Sequence, residues 1–174
     1  MQTGLILAVP DLQDAVAVWR TVALPGVQLD VPPHLTLLYP WLPREPTEED
    51  RRRVHEAICH LHPFTLSFGE VGTFPGFVWL RPEPLDPVLA VYSAVTGAFA
   101  ETPPYEGEHA DVIPHVTVAT CDPEETAALA VQAADALADP QIPGLGTFRA
   151  QGVDVAMRRS EEEAFTVRRV ASFG

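Results

Sequence analysis

Pro33-His34-Leu35-Thr36-Leu37 and Pro114-His115-Val116-Thr117-Val118 spell one phrase, Pro-His-apolar-Thr-apolar, the second copy lying 81 residues after the first (34 to 115). Polar and apolar residues alternate in both copies. That is the period-2 pattern of a half-buried strand, so each His and the Thr two places on share a face. The proline lacks an N–H and biases the chain towards an extended conformation, which suits the entry to such a strand. Each copy therefore offers an imidazole and a hydroxyl side by side.

The flanking sequence repeats as well. In the first half an apolar run of strand length at 4–9 is closed by Pro10-Asp11. Leu12, Ala15, Val16, Trp19 and Val22 then recur at threes and fours on one helical face, which Pro25-Gly26 ends. Beyond the first phrase and Tyr39-Pro40, Thr47 followed by Glu48, Glu49 and Asp50 is a capping pattern for a helix with Val54, Ile58 and Leu61 as its buried stripe. Strands are expected at 64–68 and 77–81, separated by a turn-rich 69–76.

In the second half Asp86-Pro87 predicts a helix with Asp86 as N-cap and Val88, Val91, Tyr92, Val95 and Phe99 inside. A polar loop, 101–111, leads to the second phrase. Asp122-Pro123-Glu124-Glu125 then opens an Ala-rich helix to about residue 137. After a loop at 140–146, strands at 153–158 and 164–170 form a closing pair around Ser160-Glu161-Glu162-Glu163. Both halves read strand, helix, loop, His-Thr strand, capped helix, strands. The expectation is one domain, 1–174, of approximate repeats 1–76 and 77–174. Its fold class is α+β: a two-lobed pseudo-twofold fold of antiparallel sheets flanked by helices, with the His-Thr strands facing each other across a central cleft.

A chain of 174 residues with 47% apolar and 20% charged residues can bury a sizeable core, which excludes disordered and collagen-like classes. No apolar run reaches eighteen residues and the N-terminus has no basic leader, so neither a membrane span nor a signal peptide is expected. Two cysteines, Cys59 and Cys121, fit reduced thiols better than a disulfide framework, and the expected compartment is the cytoplasm. A net charge of −13 opposes binding to long duplex nucleic acid, whose affinity comes from Lys and Arg at phosphates. A small phosphorylated substrate or an RNA end needs only local donors, and a monomer is expected.

Opposed imidazoles suit a reaction that needs a base on one side of an atom and an acid on the other, because His titrates near neutrality. In-line phosphoryl transfer is such a reaction. One His takes a proton from water, the other gives one to the departing ribose oxygen, and the Thr hydroxyls donate to the non-bridging oxygens. The scheme requires no cofactor and no metal.

The duplicated phrase, its spacing and the surrounding plan resemble the 2H phosphoesterase superfamily, specifically the 2′-5′ RNA ligase-like proteins, over nearly the whole chain. The resemblance implies a two-lobed α+β fold and metal-independent cyclic phosphodiester chemistry, opening 2′,3′-cyclic phosphates or making and breaking 2′-5′ linkages. It implies His34 and His115 as catalytic residues, with Thr36 and Thr117 on the substrate. Many such relatives carry a basic residue shortly after the second motif, where this chain has Ala119-Thr120-Cys121. Arg158 and Arg81 are the candidates to replace that charge, and Tyr39 and Trp79 the candidates to stack on a base.

Other readings stand beside this one. A pair of buried structural histidines would leave the duplication unexplained. His55, Cys59, His60 and His62 crowd together, but they lack the distant ligand pair of usual zinc spacing. Arg51, Arg52 and Arg53 read as a solvated helix face, His109 as a solvated loop residue, and Gly144 and Gly146 lack the strand-turn-helix context of a nucleotide loop. A non-catalytic module that binds a nucleotide, an RNA end or a protein on the same fold is the competing class.

Overall fold

The computed structural model describes residues 1–20, 31–107, 112–137 and 147–174. Among these residues the strands are β1 (Gln2–Ala8), β2 (His34–Leu38), β3 (Phe64–Phe74), β4 (Phe77–Glu83), β5 (Val116–Thr120), β6 (Phe148–Ala150), β7 (Gly152–Arg158) and β8 (Thr166–Ser172). The helices are α1 (Gln13–Arg20), α2 (Glu48–Ile58), α3 (Asp86–Ala98) and α4 (Thr126–Leu137), with a 3₁₀ turn, Pro10–Leu12, leading into α1. The strands form one antiparallel sheet in the order β6-β3-β4-β5-β2-β1-β7-β8, so the two phrases lie on its middle strands.

Alternation decides which side of the sheet is covered. Leu5, Leu7, Leu35, Leu37, Val78, Leu80, Val116, Val118, Val153 and Val155 point to one face and join Leu12, Val16, Val54, Ile58, Val91, Val95 and Phe99 of the helical layer in a single buried cluster. On that layer α1 packs on β5, α3 on β2, α2 on β8 and α4 on β3. The opposite face keeps a small apolar group, Ile6, Val31 and Ala156, and the polar residues of both phrases. Among the described residues no helix is long and apolar enough to cross a membrane.

The Thr47 signal produces a capping box. The Thr47 N–H donates to Asp50 Oδ2 at 2.7 Å and the Asp50 N–H donates to Thr47 Oγ1 at 3.3 Å. Arg44 adds a fork of two bonds to the same carboxylate, at 2.5 and 3.0 Å. The Arg44 hydrogen bond first, then the Thr47 hydroxyl and N–H, hold the Asp50 carboxyl well below the usual carboxylate range against the effect of its burial. Asp50→Asn is expected to lower stability by about 1–3 kcal/mol at pH 7. Because the folded pKa lies below the unfolded value of about 3.9, this contribution is full above that value and fades as the pH falls through and below it. Melting curves of wild type and variant should therefore converge in acid.

Four expectations are corrected. The turn-rich 69–76 is largely strand: β3 runs on to Phe74 and pairs with β4 from Glu70↔Arg81 to Phe74↔Phe77. The glycines that made this stretch look like a turn have separate roles. Gly69 is skipped at a bulge between Phe68 and Glu70, Gly72 lies under the Trp79 ring, and only Gly76 (φ +81°) turns the chain, after Pro75. Leu85, not Asp86, is the N-cap of α3, and it makes no side-chain capping bond. α4 begins at Thr126, because residues 123–125 form a turn and the Thr126 hydroxyl accepts the Gly76 N–H at 2.9 Å, tying the helix start to the β3–β4 turn. The short β6, which pairs with β3, has no counterpart among the expected strands.

Arg52 is solvated and paired with Glu49 and Glu56, as a helix-face reading expects, but Arg53 reaches Glu101 and lies 4.4 Å above the Phe99 ring. Val22, Pro25-Gly26, His109, Gly144 and Gly146 lie outside the described residues.

Candidate active site

β2 and β5 meet through the single pair Leu35↔Val116. Both side chains point into the core, so the residues on either side of the pair point to the uncovered face. In this register His34 stands opposite Thr117 and Thr36 opposite His115. The four polar residues make a rectangle in which each imidazole neighbours the hydroxyl of the other phrase. Directly opposed Cβ atoms in such a pair are about 4.5–5.5 Å apart and diagonal ones about 7–8 Å, and the two imidazoles stand on one diagonal. The strands are thus joined neighbours at the middle of one sheet.

Each phrase builds its corner in the same way. His34 Nδ1 lies 2.8 Å from the Pro32 carbonyl oxygen, and His115 Nδ1 lies 2.7 Å from the Ile113 carbonyl oxygen. A carbonyl can only accept, so both Nδ1 atoms carry a proton and Nε2 is the atom of each ring left to take or give one. The acceptor is two residues back in both cases, across the proline of the phrase. Both strands also carry a bulge just after the Thr: Leu37 on β2 is skipped in the pairing with β1, and Val118 on β5 is skipped in the pairing with β4. A bulge there adds local twist and turns the next residues, Leu38 and Ala119, into the core, where both are buried.

His115 is partly buried. Phe74 meets its ring edge-on at 5.2 Å and Trp79 lies 5.8 Å away, with Phe74 and Trp79 themselves 5.2 Å apart. Burial pushes the His115 imidazole below its ordinary 6.5, while the Ile113 carbonyl acts in the opposite direction. Beside it opens a cavity of about 600 Å³, whose polar floor is Thr36, His115 and Thr117 and whose walls include Phe74, Phe77, Tyr105 and Ile113. Phe77 and Ile113 stay 40% and 49% exposed, so the apolar wall is open to an entering group. His34 does not line this cavity; in the strand register it stands opposite Thr117, on the diagonal from His115.

The structure sorts the remaining sequence candidates. Arg81 shares the uncovered face and, by the register of Leu80↔Val116, stands next to His115, but its guanidinium pairs with Glu70 at 3.5 Å and lines a separate hollow. Arg158 is not brought to the rectangle. Its Nε donates to Gln2 Oε1 at 2.6 Å and its guanidinium lies 4.8 Å from the Phe165 ring. Tyr39 packs over Gly4, and its carbonyl accepts the Tyr105 N–H at 2.7 Å. Trp79, only 8% exposed, supports His115 from beneath and offers no stacking surface. Among the described residues no three His, Cys, Asp or Glu side chains gather as metal ligands, so His55, Cys59, His60 and His62 do not form such a group.

Two residues of this face escaped the sequence reading. Arg169 lies on it through Asp154↔Arg169 and Ile6↔Asp154, its Nε donating to the buried Asp154 at 2.7 Å. Tyr105 enters the cavity from the loop that the sequence shows only as polar, its backbone N–H tied to the Tyr39 carbonyl. Tyr105 (φ 50°) and Glu106 (φ 57°) are both left-handed, a conformation that costs a non-glycine residue roughly 1–2 kcal/mol. The available signal was one aromatic residue amid Pro103-Pro104 and Glu106-Gly107.

Comparison with known proteins agrees with the fold. The profile of the family described as the 2′-5′ RNA ligase superfamily matches residues 8–167. No curated protein matches the chain in sequence. Among solved structures, Escherichia coli LigT complexed with 3′-AMP is 16% identical with a TM-score of 0.57, over 97% of this chain and 95% of that one. LigT complexed with NADP+ is 16% identical with a TM-score of 0.54, over the same shares. A protein of Thermus thermophilus is 17% identical with a TM-score of 0.57, over 97% and 94%. At these identities the likeness establishes the fold.

Proposed function

The chain belongs to the 2′-5′ RNA ligase superfamily, and from that premise we propose that it is a metal-independent phosphodiesterase opening 2′,3′-cyclic or 2′-5′ phosphodiesters of small nucleotides or RNA ends. The observation that carries this reading is the pair of imidazoles fixed with Nδ1 protonated on either side of two threonine hydroxyls. His115, kept neutral by its apolar surroundings, is the base: Nε2 takes a proton from water as the water oxygen attacks phosphorus. The bond from phosphorus to a ribose oxygen breaks, and that oxygen takes the Nε2 proton of His34, the acid, which enters the step as imidazolium and leaves it neutral. Thr36 and Thr117 donate to the non-bridging oxygens. The product is a phosphomonoester, and the two histidines regain their starting protonation by exchange with solvent. With a ribose 5′-hydroxyl in place of water attacking a 2′,3′-cyclic phosphate, the bond from phosphorus to O3′ breaks and the same two proton transfers join a 2′-5′ linkage. The apolar wall beside His115 suits the base and ribose of a nucleotide, in keeping with the 3′-AMP held by LigT. The reading is that of a cytoplasmic monomer.

Phosphorus NMR of 2′,3′-cyclic nucleotides and 2′-5′ dinucleotides should show the monoester signal growing at an undiminished rate in EDTA. The kcat/KM profile should be bell-shaped. The base is active only when neutral and its pKa is lowered, so the acid limb should fall below pH 6.5. Tight binding without turnover, or loss of turnover on chelation, would count against the proposal.

A further inference from the structure

We propose that Arg81 binds a second phosphate of the substrate, the 5′-phosphate of the nucleoside whose 2′,3′-cyclic phosphate is opened, so that the protein favours the 3′-terminal residue of an RNA chain over a free nucleoside cyclic phosphate. This rests on the phosphodiesterase reading and names the substrate class of the same site. Leu80↔Val116 pairs β4 with β5, and the register continues to Arg81 beside His115 on the uncovered face, where opposed Cβ atoms lie about 4.5–5.5 Å apart. The place beside His34 is taken by Ala8. One end of the imidazole diagonal thus has a cation for neighbour and the other an alanine.

The chemistry of the nucleoside directs a 5′-phosphate to the first of these ends. In a 2′,3′-cyclic phosphate the base leaves the ribose from C1′ and the 5′-phosphate from C4′, on opposite sides of the C2′–C3′ edge. Along β4, Phe77 of the cavity wall and Arg81 lie on opposite sides of Trp79, which pairs with Thr117. Their Cα atoms are about 13 Å apart at the rise of an extended strand. With the base against Phe77, the 5′-phosphate points to Arg81. That guanidinium borders an open hollow of about 480 Å³ with Ser67, Glu83 and Leu85, which gives the preceding nucleotide a way out.

A phosphate can displace the present partner of Arg81. The guanidinium lies 3.5 Å from the Glu70 carboxylate, and the two side chains are 44% and 56% exposed. Exposed pairs of this kind contribute little. A phosphate, by contrast, accepts two parallel charge-assisted bonds from one guanidinium. Glu70 is therefore a competitor that holds Arg81 at the rim until substrate arrives.

The test compares adenosine 2′,3′-cyclic phosphate with its 5′-phosphorylated form in wild type, Arg81→Gln, Glu70→Gln and the double variant. The readout is the ratio of the two kcat/KM values. Arg81→Gln should lower the ratio about tenfold, as loss of a hydrogen bond to a charged group does. Glu70→Gln should raise it about two- to fourfold, and should have no such effect in the Arg81→Gln background. Titration with 3′-AMP and with adenosine 3′,5′-bisphosphate reads the same discrimination without turnover. A ratio that Arg81→Gln leaves unchanged, including an equal loss on both substrates (a guanidinium at the scissile phosphate), would overturn the proposal. So would a Glu70→Gln effect that survives in the double variant, which is plain repulsion of the substrate. If wild type opens neither substrate, the phosphodiesterase reading fails, and the ratio of the two affinities still decides the role of Arg81.

Discussion

His115→Ala and His34→Ala should each lower kcat/KM on a 2′,3′-cyclic nucleotide by about 10²–10⁴-fold, the usual worth of a positioned acid or base. The two losses should not multiply, because an in-line displacement that lacks either proton transfer gains little from the other. His115 is only partly buried, and each imidazole is held by a carbonyl just two residues away, so the melting temperature should move far less than the rate. The pH profiles separate the two roles. Without His115 the limb below pH 6.5 should disappear, whereas without His34 it should remain and the alkaline limb should go. Wild-type turnover in both variants would sink the assignment.

The second large effect is expected at Gly72, which touches no substrate. Gly72 pairs with Trp79 across β3 and β4, and a Cβ built there would clash with Cη2, Cζ2 and Cε2 of the indole. Gly72→Ala must therefore displace the ring, and overpacking of this kind costs about 1–3 kcal/mol. The ring cannot move alone, because Phe74 and His115 both pack against it. A shift of about 1 Å in a catalytic group can cost around 10²-fold in rate, so activity should fall more steeply than stability. Gly69→Ala is the control, since nothing lies within 4 Å of its added Cβ. Denaturant unfolding and kcat/KM on both variants check the pair, and equal behaviour of the two would refute the account of Trp79 as the support of His115.

These glycines also show what a sequence can and cannot reveal. The glycines of 69–76 look alike as turn formers, and it is the partner across the sheet, Trp79, that sets Gly72 apart. By contrast, the Thr47 capping box and the alternation of both His-Thr strands were legible because their chemistry is local. The adjacency of β2 and β5 rests on one backbone pair between residues far apart in the chain, which no local pattern encodes. Tyr105 was hidden for the same reason, since its place in the cavity is set by the bond of its N–H to the Tyr39 carbonyl. Arg158 and Arg81 were chosen for their strands and do share the uncovered face, yet Gln2 and Glu70 hold them, as Asp154 holds the unforeseen Arg169.

The strand order has a topological consequence. β3, from the first half of the chain, lies between β4 and β6 of the second, while β7, from the second half, lies beside β1 of the first. A cut at Pro75-Gly76 would leave β1 without β7 and β3 without either neighbour, baring open edges of the kind that invite pairing with another chain. Each fragment is the other's missing edge. The halves are interlocked as a domain-swapped dimer would be, with the Pro75-Gly76 turn as covalent tether, each half supplying strands that the other half's strands pair with.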